Sequence, residues 1–312
     1  MCRLYSIGEL IIDFQSVGRG GLKTTESFIK NAGGAPANVC VQVSKLNHQA
    51  TYLSQVGNDG FGDFLIESLK DNKVDTSFIK KSSKYDTSLA FVSYFEDGER
   101  EFSFYRKMAA DLYFEIDDFK EVNFKECDIL SFGSVALKTK ESRDVHDYLI
   151  KKAKDANALI AFDPNLRFNL WEDLFELKDI VNQYLKVSDI VKVGVEELEF
   201  ITGVEEQLAI DKIFRNNIKV LLVTYGSKGA RLYINQEESL YNLGYKVNAI
   251  DTTGAGDSFF GGFISQILEY GLNQSKYEEM LDLACKCGAY TTTRFGAIKA
   301  MGTKEEILKE IK

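Results

Sequence analysis

Histidine and cysteine are scarce in this chain, and their placement excludes two common kinds of site. The 312 residues include two histidines, His48 and His146, and five cysteines. A zinc site or a histidine-based catalytic triad needs more of these side chains at suitable spacings. Cys285 and Cys287 are separated by one residue, where common zinc spacings have two to four. We therefore expect these two cysteines to be small buried residues on a helix.

The sequence also lacks a disulfide framework, a long apolar run and a basic block, and these absences indicate where the protein resides and what it binds. The cysteines are odd in number and lack the spacing of a disulfide framework, which favours a reducing compartment. No apolar run approaches the about 20 residues of a membrane helix, and the first residues form no secretory leader. The net charge is −9, and Lys and Arg form no dense block. We expect a cytoplasmic protein that binds neither membranes nor nucleic acid.

Proline is equally rare, which leaves little room for a stiff linker. Pro36 and Pro164 are the two prolines, and the chain has no internal repeat. We therefore expect one α/β domain over residues 1–312. Apolar, β-branched segments alternate with helical patterns, which predicts strands at about 4–7, 51–56, 128–132, 159–162, 190–193 and 220–224, and helices at about 36–46, 61–70, 143–154 and 174–185. This order predicts a doubly wound, mostly parallel sheet flanked by helices.

Two segments break the alternation and predict a small second sheet. Residues 88–106 alternate apolar and polar positions on either side of Asp97-Gly98, which is a strong signal for a tight hairpin. Strand-like stretches also occur at 11–14 and 26–29. The sequence therefore predicts a small β-sheet lid formed by segments at about 11–31 and 86–108, in a position to cover a site.

The most informative stretch is Asp251-Thr-Thr-Gly-Ala-Gly-Asp257-Ser-Phe-Phe-Gly-Gly262. Apolar residues after it recur at helical spacing, so a helix is predicted to begin at about Gly256. Its free amides follow glycines that let a ligand approach the backbone, and together they would form an anion cradle. A carboxylate beside such a cradle can take a proton from a hydroxyl whose oxygen then attacks a phosphoryl group.

This stretch also has simpler and rival explanations. An acidic residue in a first helical turn, such as Asp257, also serves to cap amides. The segment 18–24 approaches the P-loop pattern but has Leu22 in place of the second glycine. Gly254-Ala-Gly256 imitates the dinucleotide fingerprint, but Phe259 stands where the third glycine belongs. A nicotinamide-dependent oxidoreductase is therefore disfavoured.

The sequence DTTGAGDSFFGGF resembles the C-terminal signature of the ribokinase/PfkB carbohydrate kinase family. Gly33-Gly-Ala-Pro-Ala-Asn38 with Gly57-Asn-Asp-Gly-Phe-Gly62 resembles its N-terminal signature. Two signatures in the right order, about 200 residues apart, are far more specific than one. The resemblance covers nearly the whole chain and implies a ribokinase-like fold and ATP-dependent phosphorylation of a sugar. The DPNLR stretch at 163–167, the REFSFYR hairpin and TTTRFGAI resemble the fructokinase branch.

The resemblance also implies site residues. Asp257 matches the catalytic base and a sugar contact, and Gly254, Ala255 and Gly256 match the anion hole. The other implied sugar-binding residues are Asp13, Gly33, Gly34, Asn38, Arg106 and Asn165. The implied nucleotide-binding residues are Arg167, Lys192, Glu197, Thr224, Gly226, Gly229, Gly254, Gly256 and Cys287. Asp251, Thr253 and Gly296, with Ala297, match a monovalent cation loop for which K⁺ is expected, and Glu197 would organise Mg²⁺ through water.

Two residues depart from the family pattern. Gly194 stands where an Asn-x-x-Glu motif has asparagine, and Cys287 stands where relatives often have asparagine near adenine. These departures keep open a non-catalytic, sugar-binding regulator. Plain alternatives also stay open elsewhere: an ordinary hairpin turn at 224–229, a solvated strand end at Asp13, an exposed Arg106, and a loop without an ion at Asp251.

The resulting hypothesis is transfer of the ATP γ-phosphate to a primary hydroxyl, converting D-fructose to fructose 6-phosphate. The alternatives are 2-keto-3-deoxygluconate kinase, ribokinase and nucleoside kinase. A nucleoside is included because four aromatic residues of the lid could stack on a base, namely Phe91, Phe95, Phe102 and Phe104. Exposed lid edges favour pairing of two copies, so a homodimer through the lid is also expected.

Overall fold

The computed structural model describes residues 2–95, 100–216 and 218–312. Its strands are β1 (Arg3–Ile7), β2 (Ile11–Ser16), β3 (Phe28–Gly33), β4 (Gln49–Gly57), β5 (Asp75–Ser82), β6 (Ser88–Tyr94), β7 (Arg100–Tyr105), β8 (Ile129–Gly133), β9 (Leu159–Asp163), β10 (Ile190–Gly194), β11 (Val220–Thr224), β12 (Ala230–Tyr233) and β13 (Ser239–Asn242). Its α-helices are α1 (Ala35–Lys45), α2 (Gly60–Asp71), α3 (Lys140–Asp155), α4 (Leu174–Leu185), α5 (Val195–Thr202), α6 (Glu206–Phe214), α7 (Ala255–Tyr270), α8 (Tyr277–Thr292) and α9 (Lys304–Glu310). Each strand and helix predicted by the alternating pattern is present, with small shifts in its ends.

The larger sheet has the strand order β13-β12-β11-β10-β9-β8-β1-β4-β5. Neighbours from β11 to β5 pair in parallel, while β12 and β13 add an antiparallel edge. The predicted doubly wound, mostly parallel sheet is therefore confirmed. The chain moves outward from β1 to β4 and later places β8 on the other side of β1. Ligands of such sheets bind beyond the carboxyl ends of the strands, at this reversal of order.

Helices cover both faces of the larger sheet because its strands are apolar on both faces. Along β11, Val220 and Leu222 pack in one cluster with apolar residues of α1, α2, α7 and α8. The alternate residues Leu221 and Val223 pack in a second cluster with α3, α4, α5 and α6. Among the described residues, no helix is long and apolar enough to cross a membrane.

Helices α1 and α7 cross at very short range. A Cβ atom on Gly261 would lie 2.7 Å from Cβ of Gln42 and 3.0 Å from the carbonyl oxygen of Val39. Ser258 of α7 also donates a hydrogen bond to Oε1 of Gln42 at 2.8 Å. This crossing brings the first turns of the two helices together, although one of the two sequence signatures lies near each end of the chain.

The second sheet has the order β3-β2-β6-β7. Strand β2 pairs antiparallel with β3 and in parallel with β6, and β6 pairs antiparallel with β7. The predicted small sheet is therefore present, and it is built from the predicted segments. The predicted turn at Asp97-Gly98 lies outside the described residues. Residues from all four strands line a cavity of about 480 Å³.

Cys2 and Cys127 form a disulfide, with their Cα atoms 5.3 Å apart. The expectation that the cysteines stay reduced is wrong for this pair. The strand register brings the two cysteines together. Leu4 pairs with Ile129 across β1 and β8, so Cys2 and Cys127, two positions earlier in the chain, also lie side by side. Cys40, Cys285 and Cys287 are free and buried, and the last two lie on α8 as predicted.

Candidate active site

A cavity with a volume of about 480 Å³ lies at the carboxyl ends of the parallel strands. The second sheet covers one side of it, and the N-terminus of α7 lies on the other. Many of the residues singled out from the sequence line this cavity: Asp13, Gly34, Asn38, Asn165, Arg167, Lys192, Asp251, Thr253, Gly254, Gly256, Asp257, Gly296 and Ala297. The structure thus collects into one place residues that are spread over most of the chain.

Asp257 lies in the first turn of α7 and is 7% exposed. One of its carboxylate oxygens accepts a hydrogen bond from Nδ2 of Asn38 at 2.7 Å, and the other accepts one from Nδ2 of Asn165 at 3.2 Å. Burial raises the pKa of Asp257, while the Asn38 amide and the charges of Lys192 and Arg167 oppose this rise. The carboxylate is therefore fixed in orientation and is more basic than an exposed aspartate.

Gly254 precedes α7 in a left-handed conformation, with φ of 77°. A Cβ atom there would lie 2.9 Å from Cβ of Ala297, so a larger residue would be both strained and crowded. The turn lets the chain enter α7 with its first amides free of intrahelical partners. Gly254 and Gly256 line the cavity, whereas Ala255 does not. Free amides at a helix N-terminus, together with the helix dipole, favour negative charge, so the anion hole stays a prediction at this place.

Asp251 joins the two loops that match the monovalent cation site. Its Oδ1 accepts hydrogen bonds from the Thr253 amide at 3.0 Å and from the Thr253 hydroxyl at 2.6 Å. Its Oδ2 accepts one from the Gly296 amide at 3.1 Å. The predicted residues therefore adjoin one another. The Asp251 carboxylate therefore holds the two loops together, and the cation site stays a prediction.

Asp13 and Gly33 meet on neighbouring strands of the second sheet. A Cβ atom on Gly33 would lie 2.1 Å from Oδ2 of Asp13, so the carboxylate occupies the space that the glycine leaves. Burial raises the pKa of Asp13 to about 6, against the opposing charge of Arg167. Asp13 therefore lies in the cavity wall and is not a solvated strand end. Because Gly33 has no side chain, it leaves the space that the Asp13 carboxylate occupies.

Glu197 lies behind the cavity wall. Its Oε1 accepts a hydrogen bond from the Leu166 amide at 2.6 Å, and its Oε2 accepts one from the Gly194 amide at 2.7 Å. The carboxylate therefore ties the end of β10 to the loop that carries Asn165 and Arg167. This contact positions that loop and is distinct from the magnesium role expected from the resemblance.

The expectation that Arg106 lines the sugar site is not met. Its guanidinium is buried, donates to Oδ2 of Asp111 at 2.7 Å, and also bonds to Ser88 and to the Val135 carbonyl oxygen. Val135 lines the cavity and Arg106 does not, so the arginine supports the wall from behind. The alternative of an exposed arginine is also wrong. Asp111, which follows the hairpin closely, provides the buried countercharge.

Four other expected nucleotide-binding residues lie off this cavity. Thr224, Gly226 and Gly229 belong to the antiparallel turn between β11 and β12. Cys287 is fully buried, and its Sγ would lie 2.8 Å from a Cβ on Gly262. Its side chain therefore fills the α7–α8 contact and cannot reach a nucleotide, because the helical phase of α8 turns it inward. The turn remains a predicted nucleotide contact.

Glu9 is a wall residue that sequence reasoning missed. It follows β1 directly, is 3% exposed, and its Oε1 accepts a hydrogen bond from the Ala35 amide at the start of α1 at 3.0 Å. Burial raises its pKa to about 7. The available signal was an acidic residue at the carboxyl end of a predicted central strand. Other missed wall residues come from the second sheet and include Gln15, Asn31 and Tyr94, whereas Phe102 and Phe104, two of the four lid aromatic residues named from the sequence, also line the cavity.

Carboxylates are plentiful here, but they do not cluster as metal ligands. In the part of the chain that the structure describes, no group of three or more His, Cys, Asp or Glu side chains is arranged to hold a metal ion. A divalent ion at this site would therefore take most of its ligands from a bound substrate and from water, which is the usual behaviour of Mg²⁺ with phosphates.

Comparisons with known proteins agree with this site. Residues 1–304 match the pfkB family of carbohydrate kinases. The chain is 38% identical to fructokinase-1 of Zea mays over 312 residues, covering 98% of this chain and 96% of the maize protein. The fructokinase of Vibrio cholerae O395, in a crystal structure with fructose, ADP and calcium, is 31% identical and gives a TM-score of 0.91 over 100% of this chain and 99% of that one. A double mutant of that enzyme, with fructose, ADP and potassium, gives 0.90 at 31% identity over the same shares.

The fold and the cavity thus define a kinase of the ribokinase-like class, and the chain belongs to the pfkB family of carbohydrate kinases. It is a phosphotransferase that acts on an alcohol group, and its relatives place it in the fructokinase branch. The family, the branch, the fold class and the enzyme class predicted from the sequence are all confirmed.

Proposed function

We propose that this enzyme transfers the γ-phosphate of ATP to the primary hydroxyl of D-fructose and forms fructose 6-phosphate. The observation that carries the proposal is the Asp257 carboxylate, which is held by two amides beside the free N-terminus of α7. The substrate is suggested by relatives named as fructokinases and by the fructose and ADP bound in the Vibrio cholerae structure.

In this proposal Asp257 acts as the general base. The hydroxyl of the sugar gives its proton to the carboxylate, and its oxygen attacks the γ-phosphorus in line with the leaving ADP. The amides of Gly254, Ala255 and Gly256 and the dipole of α7 stabilise the charge on the migrating group. The raised pKa of Asp257 suits a base that must accept a proton near neutral pH.

The sugar would be held on the opposite wall by Asp13, Asn38 and Asn165, with Gly34 allowing close approach. Carboxylate and amide groups can each bridge adjacent hydroxyls of a sugar. The second sheet would act as the lid that excludes water from the reaction. Arg106 would support this wall through Asp111 and Val135 without touching the sugar.

ATP would extend from the N-terminus of α7 toward the turn of Thr224, Gly226 and Gly229, with Arg167 and Lys192 near its phosphates. Mg²⁺ would bind to the phosphate oxygens and to water, some of it oriented by Glu197. K⁺ would bind between the loops of Thr253 and Gly296 that Asp251 joins. The potassium in the related fructokinase structure is consistent with this.

The activity is tested by measuring phosphorylation rates over a panel that contains fructose, ribose, 2-keto-3-deoxygluconate, glucose and adenosine. Fructose should give the highest kcat/KM, and another best substrate would refute the fructose assignment. Asp257→Asn should lower kcat by about 10²- to 10⁴-fold while sugar binding, followed by calorimetry, survives. Asp128→Asn is a matched control, because this aspartate is 2% exposed and hydrogen-bonds to the Arg3 and Lys125 amides outside the cavity. Near-normal turnover in Asp257→Asn would contradict the base assignment.

We also propose that the enzyme is a cytoplasmic homodimer joined through the second sheet. Ile29 and Tyr105, on the two edge strands of this sheet, are 53% and 64% exposed, and a second copy could cover such exposed apolar side chains at a sheet edge. Light scattering should give twice the mass of 35.2 kDa, and replacing both residues with serine should give the monomer. A monomeric wild type at micromolar concentration would refute the dimer.

A further inference from the structure

A chain of buried hydrogen bonds runs beneath the first turn of α7. Ser258, the residue after Asp257, donates to Oε1 of Gln42 on α1 at 2.8 Å and accepts a hydrogen bond from the hydroxyl of Thr291 on α8 at 2.8 Å. Nε2 of Gln42 in turn donates to the carbonyl oxygen of Gly302 at 3.2 Å. The side chains of Ser258, Gln42 and Thr291 are all 0% exposed. The chain therefore links three helices at the point where α7 begins.

Packing alone does not require polar side chains at this contact. Helices α1 and α7 already meet at Gly261, and α8 lies close to α7 at Gly262, where a Cβ atom would be 3.1 Å from the Cα atom of Ala284. Replacing a buried hydrogen-bonded pair with apolar groups of the same shape is often nearly neutral for stability. A hydrogen bond, however, specifies a direction as well as a distance, which an apolar contact does not. The polar side chains therefore set the orientation of α7.

The first turn of α7 has few other anchors. Gly254 enters the helix in a left-handed conformation, and Ala255 and Gly256 have no polar side chain. The two carboxylate oxygens of Asp257 accept hydrogen bonds from amides of the cavity wall. Ser258 is therefore the first residue of α7 whose side chain ties the helix to the core and not to the cavity wall.

Gln42 and Asn38 hold two successive residues of α7. They are four residues apart on α1, so they lie one turn from each other on the same face of that helix. Asn38 donates to the Asp257 carboxylate at 2.7 Å, and Gln42 accepts from the Ser258 hydroxyl at 2.8 Å. A rotation of α7 that breaks the second hydrogen bond would therefore also displace the first.

We propose that Gln42 and Ser258 are positioning residues, whose hydrogen bond fixes the rotation of the first turn of α7 and so holds the Asp257 carboxylate against Asn38 and toward the reacting hydroxyl. The inference rests on the proposed role of Asp257 as the base. Neither Gln42 nor Ser258 lines the cavity, so they act through Asp257. Such control matters for the rate, because a misplacement of about 1 Å can slow a reaction by about 10²-fold.

The test removes each polar group in turn, in Gln42→Met and Ser258→Ala. The matched controls are Gln266→Met and Ser265→Ala, because these side chains are 2% and 0% exposed and bond to other residues of α7. We expect the first two variants to lower kcat by about 10- to 100-fold with the sugar KM nearly unchanged, and the controls to match the wild type. A kcat within about threefold of the wild type in either Gln42→Met or Ser258→Ala overturns the proposal, and so does a rise in the sugar KM with kcat unchanged.

A double variant and thermal unfolding separate positioning from folding. In Gln42→Met/Ser258→Ala, kcat should equal that of the more affected single variant, because the shared hydrogen bond is already lost. Losses that multiply would show two independent effects and would contradict the proposal. A control that loses as much kcat as Ser258→Ala at an equal loss of unfolding temperature would also contradict it. Should Gln42→Met fail to fold, Ser258→Ala still decides the question, since it removes a single oxygen atom.

The pH profile provides a readout that a loss of stability would not move. Burial raises the pKa of Asp257, and the hydrogen bond from Asn38 opposes this rise. If α7 rotates away from α1, that hydrogen bond weakens, so the pKa of Asp257 rises and the acid limb of kcat/KM moves to higher pH. Asn38→Ala should move this limb in the same direction. An acid limb that stays in place in Gln42→Met overturns the positioning role.

The charged groups that act on Asp257 from other elements are unchanged in these variants. They are Lys192 on β10, Arg167 in the loop after β9, Glu197 on α5, Asp163 on β9 and Asp13 on β2. All rates are measured with the alcohol that the wild type phosphorylates fastest, so a best substrate other than fructose refutes the fructose assignment alone. Near-normal turnover in Asp257→Asn refutes the base. Wild-type rates in Gln42→Met and Ser258→Ala, with Asp257→Asn inactive, refute only the positioning role.

Discussion

Replacing Gly33 with alanine should damage sugar binding and leave the fold in place. The added Cβ would lie 2.1 Å from Oδ2 of Asp13 and 2.9 Å from its Cγ, which non-bonded atoms do not tolerate. The carboxylate must therefore rotate away. This rotation is cheap for the fold, because Oδ2 is the end of a side chain and Gly33 does not have a left-handed backbone conformation.

The size of the effect follows from the contacts that the carboxylate would lose. A hydrogen bond to a charged group contributes about 1.5–3 kcal/mol. Moving Asp13 off the sugar should therefore raise the sugar KM by about 10- to 100-fold, and kcat should change much less. Alanine restricts the unfolded chain and so favours folding by about 0.4–1 kcal/mol. The melting temperature should therefore change by a few degrees at most.

Steady-state kinetics with sugar and ATP varied separately, together with thermal unfolding, measure these quantities. Gly60→Ala is the control, because a Cβ at that position meets nothing within 4 Å. Asp13→Asn should raise the sugar KM in the same direction by removing the charge directly. A Gly33→Ala enzyme whose sugar KM stays within about threefold of the wild type would refute the placement of the Asp13 carboxylate on the sugar.

Two further predictions concern stability. Burial lowers the pKa of His146 to about 4 from an ordinary value of 6.5, so the unfolded chain takes up the proton more readily than the folded one. The contribution of His146 to the free energy of unfolding should therefore be fully present above about pH 6.5 and be lost, by up to about 3 kcal/mol, as the pH falls through 4. Urea titrations of the wild type and of His146→Gln measure this contribution as the difference between their pH slopes, and equal slopes would contradict it. Cys127→Ser should lower the free energy of unfolding by up to about 5 kcal/mol, because the disulfide links residues 125 apart in sequence. Its kcat should not change, since the pair lies at the amino ends of β1 and β8; loss of activity would show that the disulfide acts on the site.

The alternation of the chain predicted the fold because each central strand is short, apolar and followed by a periodic helix. The helix after Gly254 is the clearest case, since six apolar residues recur along one stripe and the helix begins within one residue of the predicted start. The edge strands β12 and β13 were missed because they are four residues long, and the exposed pattern of β13 resembles a loop. Periodicity needs a longer window than these strands provide.

The membership of the candidate site was largely predictable, but its contacts were not. The two signatures indicated that Asn38 and Asp257 belong to one site, although 219 residues separate them. The sequence could not show that the side-chain amide of Asn38 donates to the carboxylate of Asp257, because that contact depends on the crossing of α1 and α7. The expected sugar contact of Arg106 is not observed for a related reason. Its countercharge Asp111 is five residues away, and a local sequence pattern does not reveal that the pair is buried.

The charges around Asp257 explain how a buried carboxylate can act as a base without unfolding its surroundings. Burial alone favours the neutral acid, which would be protonated before the reaction and useless for it. The amide of Asn38 and the cations Lys192 and Arg167 favour the charged form and oppose this rise in the pKa of Asp257. When a negative phosphate neutralises those cations and a lid excludes water, the same carboxylate becomes a stronger base. In the proposed reaction, binding of the substrates would therefore raise the proton affinity of Asp257 at the step that requires it, and this coupling requires Lys192 and Arg167 to interact with both the base and the phosphate.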